Sequence, residues 1–201
     1  SHAHLVRRDD NEVEKEWLAR VESEIITAKE ILHTRGHNSR VFAYPYGEYN
    51  EEVRNIVRQL GMIGFGQQSG AIGPDSDPLI LPRFPLAGAY TGIEALKDKL
   101  GSLAMPLETK YQPPLITENL SPTLLLEFTD PSIRVENVNC FGPGGIMKVS
   151  KTSNTEILIK PKQDLPVGRS RYNCTLRYKD RYFWYSQLWM RKNSDGTWYK
   201  E

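Results

Sequence analysis

The sequence predicts an α/β region followed by an all-β region, on three observations. Up to about residue 101, apolar residues recur at helical spacing between short extended runs. Residues 102–122 hold four prolines and no periodicity, which is typical of a linker that enters the next domain as an extended strand. After it, short β-type runs are separated by turn residues. The 201 residues are enough for two domains.

The α/β region is predicted to contain three helices and three extended runs. The helices follow the N-caps Asp10, Asn50 and Thr91, and Gly36 and Gly61 end the first two. The extended runs cover residues 40–44, 62–65 and 79–84, and the first of them is apolar enough to be buried. Alternation of strand and helix implies parallel strand pairing, with the helices packed outside the sheet.

The all-β region is predicted to be an antiparallel sandwich of immunoglobulin type. Six short runs separated by turns, the pattern that such domains use, lie in the last part of the chain: 124–128, 133–141, 147–149, 156–160, 171–178 and 182–190. Tyr172 stands two residues before Cys174, as in a tyrosine corner, but no Trp lies between Cys140 and Cys174. The two cysteines are expected on strands that face each other across the sandwich, where a disulfide and two buried thiols fit equally well.

Composition excludes several classes of protein. Lys and Arg number 26 and Asp and Glu 25, so the net charge of +1 offers no basis for nucleic-acid binding. Mean hydropathy is −0.52, and no apolar run approaches the roughly 20 residues that cross a bilayer. Two cysteines are too few for a disulfide scaffold or a zinc finger. We expect a globular protein that binds no nucleic acid and has no membrane span.

The segment most informative about chemistry is the turn Tyr44-Pro45-Tyr46-Gly47, which joins a predicted strand to a capped helix. In parallel α/β folds, the carboxyl ends of strands form the active-site face. Pro45 removes one backbone donor and restricts the turn, and backbone N–H groups just before a helix suit a developing oxyanion. An ordinary strand-to-helix turn with aromatic packing would have the same spacing.

This segment resembles a known family. Residues 42–49, the helix after them and residues 60–65 are similar to the third motif region of polysaccharide deacetylases, the NodB-homology enzymes of carbohydrate esterase family 4. The Tyr-Pro-Tyr-Gly variant and the run 76–84 look like the branch that deacetylates poly-N-acetylglucosamine. The resemblance covers roughly residues 1–100. It implies the C-terminal portion of a deformed (β/α) barrel over residues 1–104, then a linker and first strand over 105–122 and an accessory β-sandwich over 123–201.

The resemblance also implies an activity and a site. Family members hydrolyse N-acetyl or O-acetyl groups on polysaccharides with a divalent metal ion, most often zinc. The backbone amide of Tyr46 would contribute to the oxyanion hole, and His2 would be the second histidine of the metal motif His-(Ser/Thr)-x-x-His. The substrate would meet Tyr44, Pro45, Gly47 and Arg83. A structural ion pair of Arg83, and a frayed or tag-derived Ser1-His2-Ala3, are the alternatives for these two sites.

Other parts of the family pattern are missing from this sequence. The first metal histidine would precede Ser1, and the Asp-Asp pair that supplies a metal ligand and the general base would lie further upstream. Asp9-Asp10 follows the histidines and does not match that pair. Phe84 ends the run that would match the family's Leu-x-x-His, so no general acid is assigned, and His33 and His37 are expected to be surface groups.

A barrel needs about 200–250 residues. We therefore expect this chain to be a C-terminal piece of a longer enzyme and inactive alone, with a separate N-terminal fragment as a candidate partner.

A non-catalytic function is the alternative hypothesis. Residues 171–199 are dense in aromatic side chains, which stack on sugar rings but also fill sandwich cores. The chain would then bind carbohydrate or another envelope component without hydrolysing it. Both hypotheses imply a periplasmic, cell-envelope or secreted location.

Overall fold

The computed structural model describes residues 2–88, 91–108 and 113–200. The chain folds into two compact units. The first consists of Ser1–Gln67 and Asp77–Leu81, and the second consists of Gln68–Ser76 and Pro82–Glu201. Residues 109–112 of the predicted linker lie outside the described residues. Among those described, no helix is both long and apolar enough to cross a membrane.

The first unit opens with helix α1 at Glu14–Thr34. The prediction that Asp10 caps this helix is wrong, because the chain first makes a turn in which Asn11 has a left-handed φ of 64°. Val13 is the N-cap, and its amide donates to the side chain of Glu16 at 3.4 Å. The helix buries one stripe at helical spacing, formed by Trp17, Val21 and Ile25.

A short parallel sheet and one further helix complete the first unit. Strand β1 is Val41–Ala43, helix α2 is Glu51–Gln59 and strand β2 is Ile63–Phe65. β1 and β2 pair in parallel, which confirms the predicted pairing. The Asn50 side chain accepts from the Val53 amide at 3.0 Å, which confirms the predicted cap of α2.

Two expectations for the strands of this unit are wrong. β1 is not buried, since Val41 is 51% exposed; with few strands beside it, the sheet leaves part of β1 in solvent. The run at 79–84 is not a strand, because within the described residues it makes only a single parallel bridge, from Leu81 to Phe65.

The second unit contains one α-helix, one short 3-10 helix at Val135–Asn137 and eight strands among the described residues. Helix α3 is Ile93–Gly101 and its N-cap is Gly92. The predicted cap Thr91 instead donates its hydroxyl to the Gly88 carbonyl at 3.0 Å. The strands are β3 (Leu103–Ala104), β4 (Leu124–Glu127), β5 (Asn139–Gly142), β6 (Gly145–Ile146), β7 (Lys148–Lys151), β8 (Glu156–Lys160), β9 (Gly168–Tyr178) and β10 (Arg181–Arg191).

These strands form two sheets. One has the order β3-β10-β9-β5-β6, and the other is antiparallel with the order β4-β8-β7. β3 and β10 pair in parallel, and both belong to the second unit. The domain boundary at residue 104 stays a prediction. Side chains of both sheets share one core, including Leu124, Leu126, Ile157, Ile159, Leu176 and Trp189. The immunoglobulin type and the barrel stay predictions.

Tyr172 is fully buried in this core, and its hydroxyl donates to the Pro122 carbonyl at 3.0 Å. The two residues are 50 positions apart, whereas a tyrosine corner bonds a few residues upstream. The bond therefore ties β9 to the segment that leads into β4.

Cys140 and Cys174 form a disulfide. They are register partners on the neighbouring strands β5 and β9, with Cα atoms 4.1 Å apart. The prediction that they face each other across a sandwich is wrong, because both lie in the same sheet. The disulfide cross-links two adjacent antiparallel strands.

Candidate functional site

The N-terminal segment of the first unit is packed against α1. Leu5 and Val6 are buried. The indole Nε1 of Trp17 donates to the Leu5 carbonyl at 2.7 Å. These contacts hold the backbone on either side of His4 and so restrict where the histidines of this segment can lie.

The predicted Tyr44–Gly47 motif forms a tight turn between β1 and α2. The Gly47 amide donates to the Tyr44 carbonyl at 2.9 Å, and the Glu48 amide donates to the Pro45 carbonyl at 3.1 Å. Tyr46 has φ 57° and ψ 2°, a left-handed conformation that costs a residue with a Cβ about 1–2 kcal/mol. Backbone strain of this kind is concentrated at functional sites.

Gly47 is required by this turn for two reasons. Its φ is +72°, and a Cβ at this position would lie 2.6 Å from Cβ of Gln67. The turn therefore combines a strained tyrosine with a glycine that no larger residue can replace without movement.

The structure brings the predicted residues His2 and Tyr46 together. The His2 ring stands edge-on to the Tyr46 ring, with centroids 4.5 Å apart. The His4 ring stacks on the same tyrosine, with centroids 4.0 Å apart and an interplanar angle of 9°. Two histidines from the N-terminal segment thus contact the side chain of the proposed oxyanion residue.

Glu48 belongs to this site, and sequence reasoning missed it. Its side chain is 0% exposed. Oε2 lies 2.9 Å from Nδ1 of His4, and Oε1 accepts from Nη2 of Arg7 at 2.9 Å. A buried carboxylate needs such partners. The available signal was an acidic residue directly after the turn glycine, but its partners lie 44 and 41 positions upstream.

The side chain of Tyr44 lies in the core of the first unit. It is 1% exposed and packs against Phe42 and Tyr49, each with ring centroids 5.3 Å from its own. Burial raises the pKa of Tyr44 far above its usual value and raises the pKa of Tyr49 to about 12. A substrate contact at Tyr44 would therefore have to use its backbone.

Three other predicted residues lie outside this cluster. Arg83 belongs to the second unit, where it is exposed and its amide donates to the Gln68 carbonyl at 2.9 Å. His33 and His37 are exposed at the end of α1 and just after it, as predicted.

The described residues do not by themselves make a metal site. Over residues 2–88, 91–108 and 113–200, no group of three or more His, Cys, Asp or Glu side chains is placed to hold a metal ion. His4 already shares its Nδ1 with Glu48.

The aromatic side chains of residues 171–199 divide between core and surface. Tyr172 and Trp189 are buried and contact each other with ring centroids 5.4 Å apart. Phe183 and Tyr185 pack against the same core. Tyr178 and Tyr182 are exposed by 46% and 40%. Four of the nine aromatic side chains in this stretch are therefore part of the core of the second unit or pack against it.

Comparison with known proteins bears on the first unit. The family model for polysaccharide deacetylase matches residues 1–64. The matched region contains both histidines, the Tyr44–Gly47 turn and Glu48. No curated protein and no solved structure matches the chain. Residues 1–64 are thus similar to the polysaccharide deacetylase family, which supports the NodB-homology resemblance of the sequence.

Proposed function

We propose that the first unit belongs to the catalytic domain of a polysaccharide deacetylase of the branch that acts on poly-N-acetylglucosamine. The domain would be a deformed (β/α) barrel. Its reaction would be hydrolysis of N-acetyl or O-acetyl groups on a cell-envelope or extracellular polysaccharide. The observation that carries the proposal is the cluster of His2, His4, Tyr46 and Glu48, which falls within the residues that match the family.

The turn is the part of this chain suited to the chemistry. Hydrolysis of an acetyl amide or ester passes through a tetrahedral oxyanion, which preorganised N–H donors stabilise. Two backbone hydrogen bonds close the turn around Tyr46 and restrict its conformation. We assign the oxyanion contact to the Tyr46 amide. Substrate contacts are assigned to the backbone of Tyr44, to Pro45 and Gly47, and to Arg83.

We further propose that the enzyme depends on a divalent metal ion, zinc by the family resemblance, and that His2 is one ligand. An imidazole is a common zinc ligand. The remaining ligands would be the first histidine and the aspartate that the resemblance places before Ser1. A separate N-terminal fragment that carries them is a candidate partner.

The location we propose is the periplasm, the cell envelope or the exterior. The Cys140–Cys174 disulfide supports an oxidising compartment, since disulfides persist there and are rare in the cytosol. The second unit would be an accessory β-sandwich domain.

The test is acetate release from a partially acetylated glucosamine oligomer in the presence of zinc. It compares the 201-residue chain with a polypeptide extended upstream of Ser1 in its reading frame. We expect release by the extended polypeptide and none by the chain alone. His2→Ala should abolish release, whereas His37→Ala, a substitution of an exposed histidine outside the cluster, should not change it.

Two outcomes would contradict the proposal. A folded extended polypeptide that binds the oligomer without releasing acetate would favour the non-catalytic, carbohydrate-binding function. Full activity in His2→Ala would exclude His2 as a metal ligand.

A further inference from the structure

Glu48 connects the N-terminal segment to the turn that carries Tyr46. Its buried carboxylate bonds to His4 through one oxygen and to Arg7 through the other, each at 2.9 Å. Both partners belong to one four-residue stretch of the N-terminal segment. A single side chain therefore links two points of that stretch to the residue that follows the turn.

The contact with Nδ1 also sets the orientation of the His4 imidazole. A ring bonded through Nδ1 has little freedom to rotate about its outer torsion angle. Held in this way, the ring lies parallel to Tyr46 within 9°. Glu48 stands only two residues after Tyr46 in the chain. Its carboxylate contacts the His4 imidazole, and that imidazole stacks on the Tyr46 ring, so the side chains of Glu48, His4 and Tyr46 are linked to one another.

Tyr46 needs such support because its conformation is unfavourable. Its φ of 57° is left-handed, and residues in that region persist only where the surroundings impose it. The rings of His2 and His4 pack on its side chain edge-on and face-on. These contacts constrain the side chain and, through the Cα, the backbone conformation of Tyr46.

We propose that Glu48 is a positioning residue: through the His4 ring it holds Tyr46, and hence the backbone amide of Tyr46, in the left-handed conformation of the turn. The catalytic meaning of this arrangement rests on the proposed function, in which that amide binds the oxyanion. The arrangement itself does not depend on catalysis. A carboxylate that only stabilised the fold would affect stability without changing the environment of Tyr46 in the folded protein.

The experiment compares NMR resonances of the folded 201-residue chain with those of Glu48→Gln at one pH. In the unsubstituted chain, stacking should shift the ring resonances of His4 and Tyr46 upfield. Glu48→Gln should lose that ring-current shift and move the Tyr46 amide resonance. The matched control is Glu51→Gln, which removes a carboxylate bonded to Arg54 at 3.0 Å on the first turn of α2. It should leave both sets of resonances unchanged.

If Glu48→Gln does not fold, a second variant, His4→Phe, tests the positioning role of Glu48. His4→Phe keeps a ring that can stack and leaves the pair of Glu48 and Arg7 in place, but it removes the bond that orients the ring. We expect the Tyr46 amide to move in this variant too. Resonances of Tyr46 that stay in place in folded Glu48→Gln, or in folded His4→Phe, would overturn the proposal.

Kinetics separate the two proposals. In an active extended polypeptide, Glu48→Gln should lower kcat with little change in KM, because a misplaced oxyanion donor affects the transition state. If Glu48→Gln alters the Tyr46 resonances but the extended polypeptide releases no acetate, the positioning role is supported and the deacetylase function is contradicted. If the extended polypeptide releases acetate but Glu48→Gln leaves the Tyr46 resonances unaltered, the deacetylase function is supported and the positioning role is contradicted.

Discussion

The imidazole of His4 lies parallel to the phenol ring of Tyr46, with centroids 4.0 Å apart. The two residues belong to segments that are far apart in sequence, the N-terminal stretch and the turn between β1 and α2. Their stacking joins these segments into one cluster. Substitutions that destabilise either segment should therefore change the positions of the side chains in the candidate site.

Trp17 is predicted to hold the histidine-bearing segment in place. Trp17→Phe keeps most of the buried ring but removes the donor to the Leu5 carbonyl, which should cost about 1–3 kcal/mol in the free energy of unfolding. Urea unfolding measures this loss in the free energy of unfolding. Tyr182→Phe, at a tyrosine of the second unit that is 40% exposed, should change stability by less than about 0.5 kcal/mol. Equal losses in the two variants would contradict the assigned role of the indole bond.

Gly47 is predicted to tolerate no side chain, and Gly61 provides a matched control. Both have a left-handed φ, +72° and +65°, but only at Gly47 would a Cβ meet another residue. Gly61→Ala should lose about 1–2 kcal/mol from backbone conformation alone. Gly47→Ala should lose about 1–3 kcal/mol more from overpacking against Gln67. Calorimetry or urea unfolding would show the difference, and similar losses would mean that the turn shifts to accommodate the methyl group.

The N-cap of α2 is predicted to contribute measurably to stability. Asn50→Ala removes the acceptor for the Val53 amide and should cost about 1 kcal/mol. Asn50→Asp keeps an acceptor at the same position and should differ from the unsubstituted chain by only a few tenths of a kcal/mol. Thermal unfolding at neutral pH distinguishes the two variants. A stable Asn50→Ala would show that solvent replaces the cap.

Glu12 is predicted to make the first unit sensitive to acid. Its hydrogen bonds from Arg20, both 2.7 Å long, lower the pKa of Glu12 from its usual 4.5 to about 2. Because the pKa in the folded chain is the lower one, this contribution to stability is complete above pH 4.5. It is lost as the pH falls towards 2.

Thermal unfolding between about pH 5 and about pH 2 tests this prediction. Glu12→Gln should be less stable than the unsubstituted chain at the upper end of this range, and the difference should shrink as the pH falls. Glu22→Gln, an exposed carboxylate on the same helix, serves as the control. A difference for Glu12→Gln that stays constant with pH would refute the assignment.

The disulfide is predicted to stabilise the second unit. It closes a loop with a sequence separation of 34 residues. Loop entropy then predicts a loss of about 3–4 kcal/mol when Cys140 and Cys174 are both replaced by Ala. Thiol titration of the denatured, unreduced chain should detect no free thiol. Two free thiols per chain would show that the bond does not form.

Local sequence patterns were sufficient to predict those features of the structure that depend on residues close together in the chain. The cap at Asn50 and the parallel pairing of β1 and β2 follow from residue types within a few positions of each other and from the alternation of elements. The Tyr44–Gly47 turn was identified in the same way, because Pro and Gly restrict the backbone directly. The start of α1 was not identified correctly from local patterns. Asp10 and Val13 are both plausible boundaries, and the helix begins after Val13 because the chain makes a turn at Asn11.

The sequence by itself determined that β1 and β2 pair in parallel, that Asn50 caps α2 and that residues 1–64 resemble a deacetylase family. Only the tertiary structure placed Glu48 between His4 and Arg7, because hydrogen bonds between residues more than forty positions apart leave no periodic trace in the chain. Only strand register placed Cys140 beside Cys174 in one sheet. Spacing along the chain restricts which residues can be strands, but pairing depends on the packing of the whole sheet.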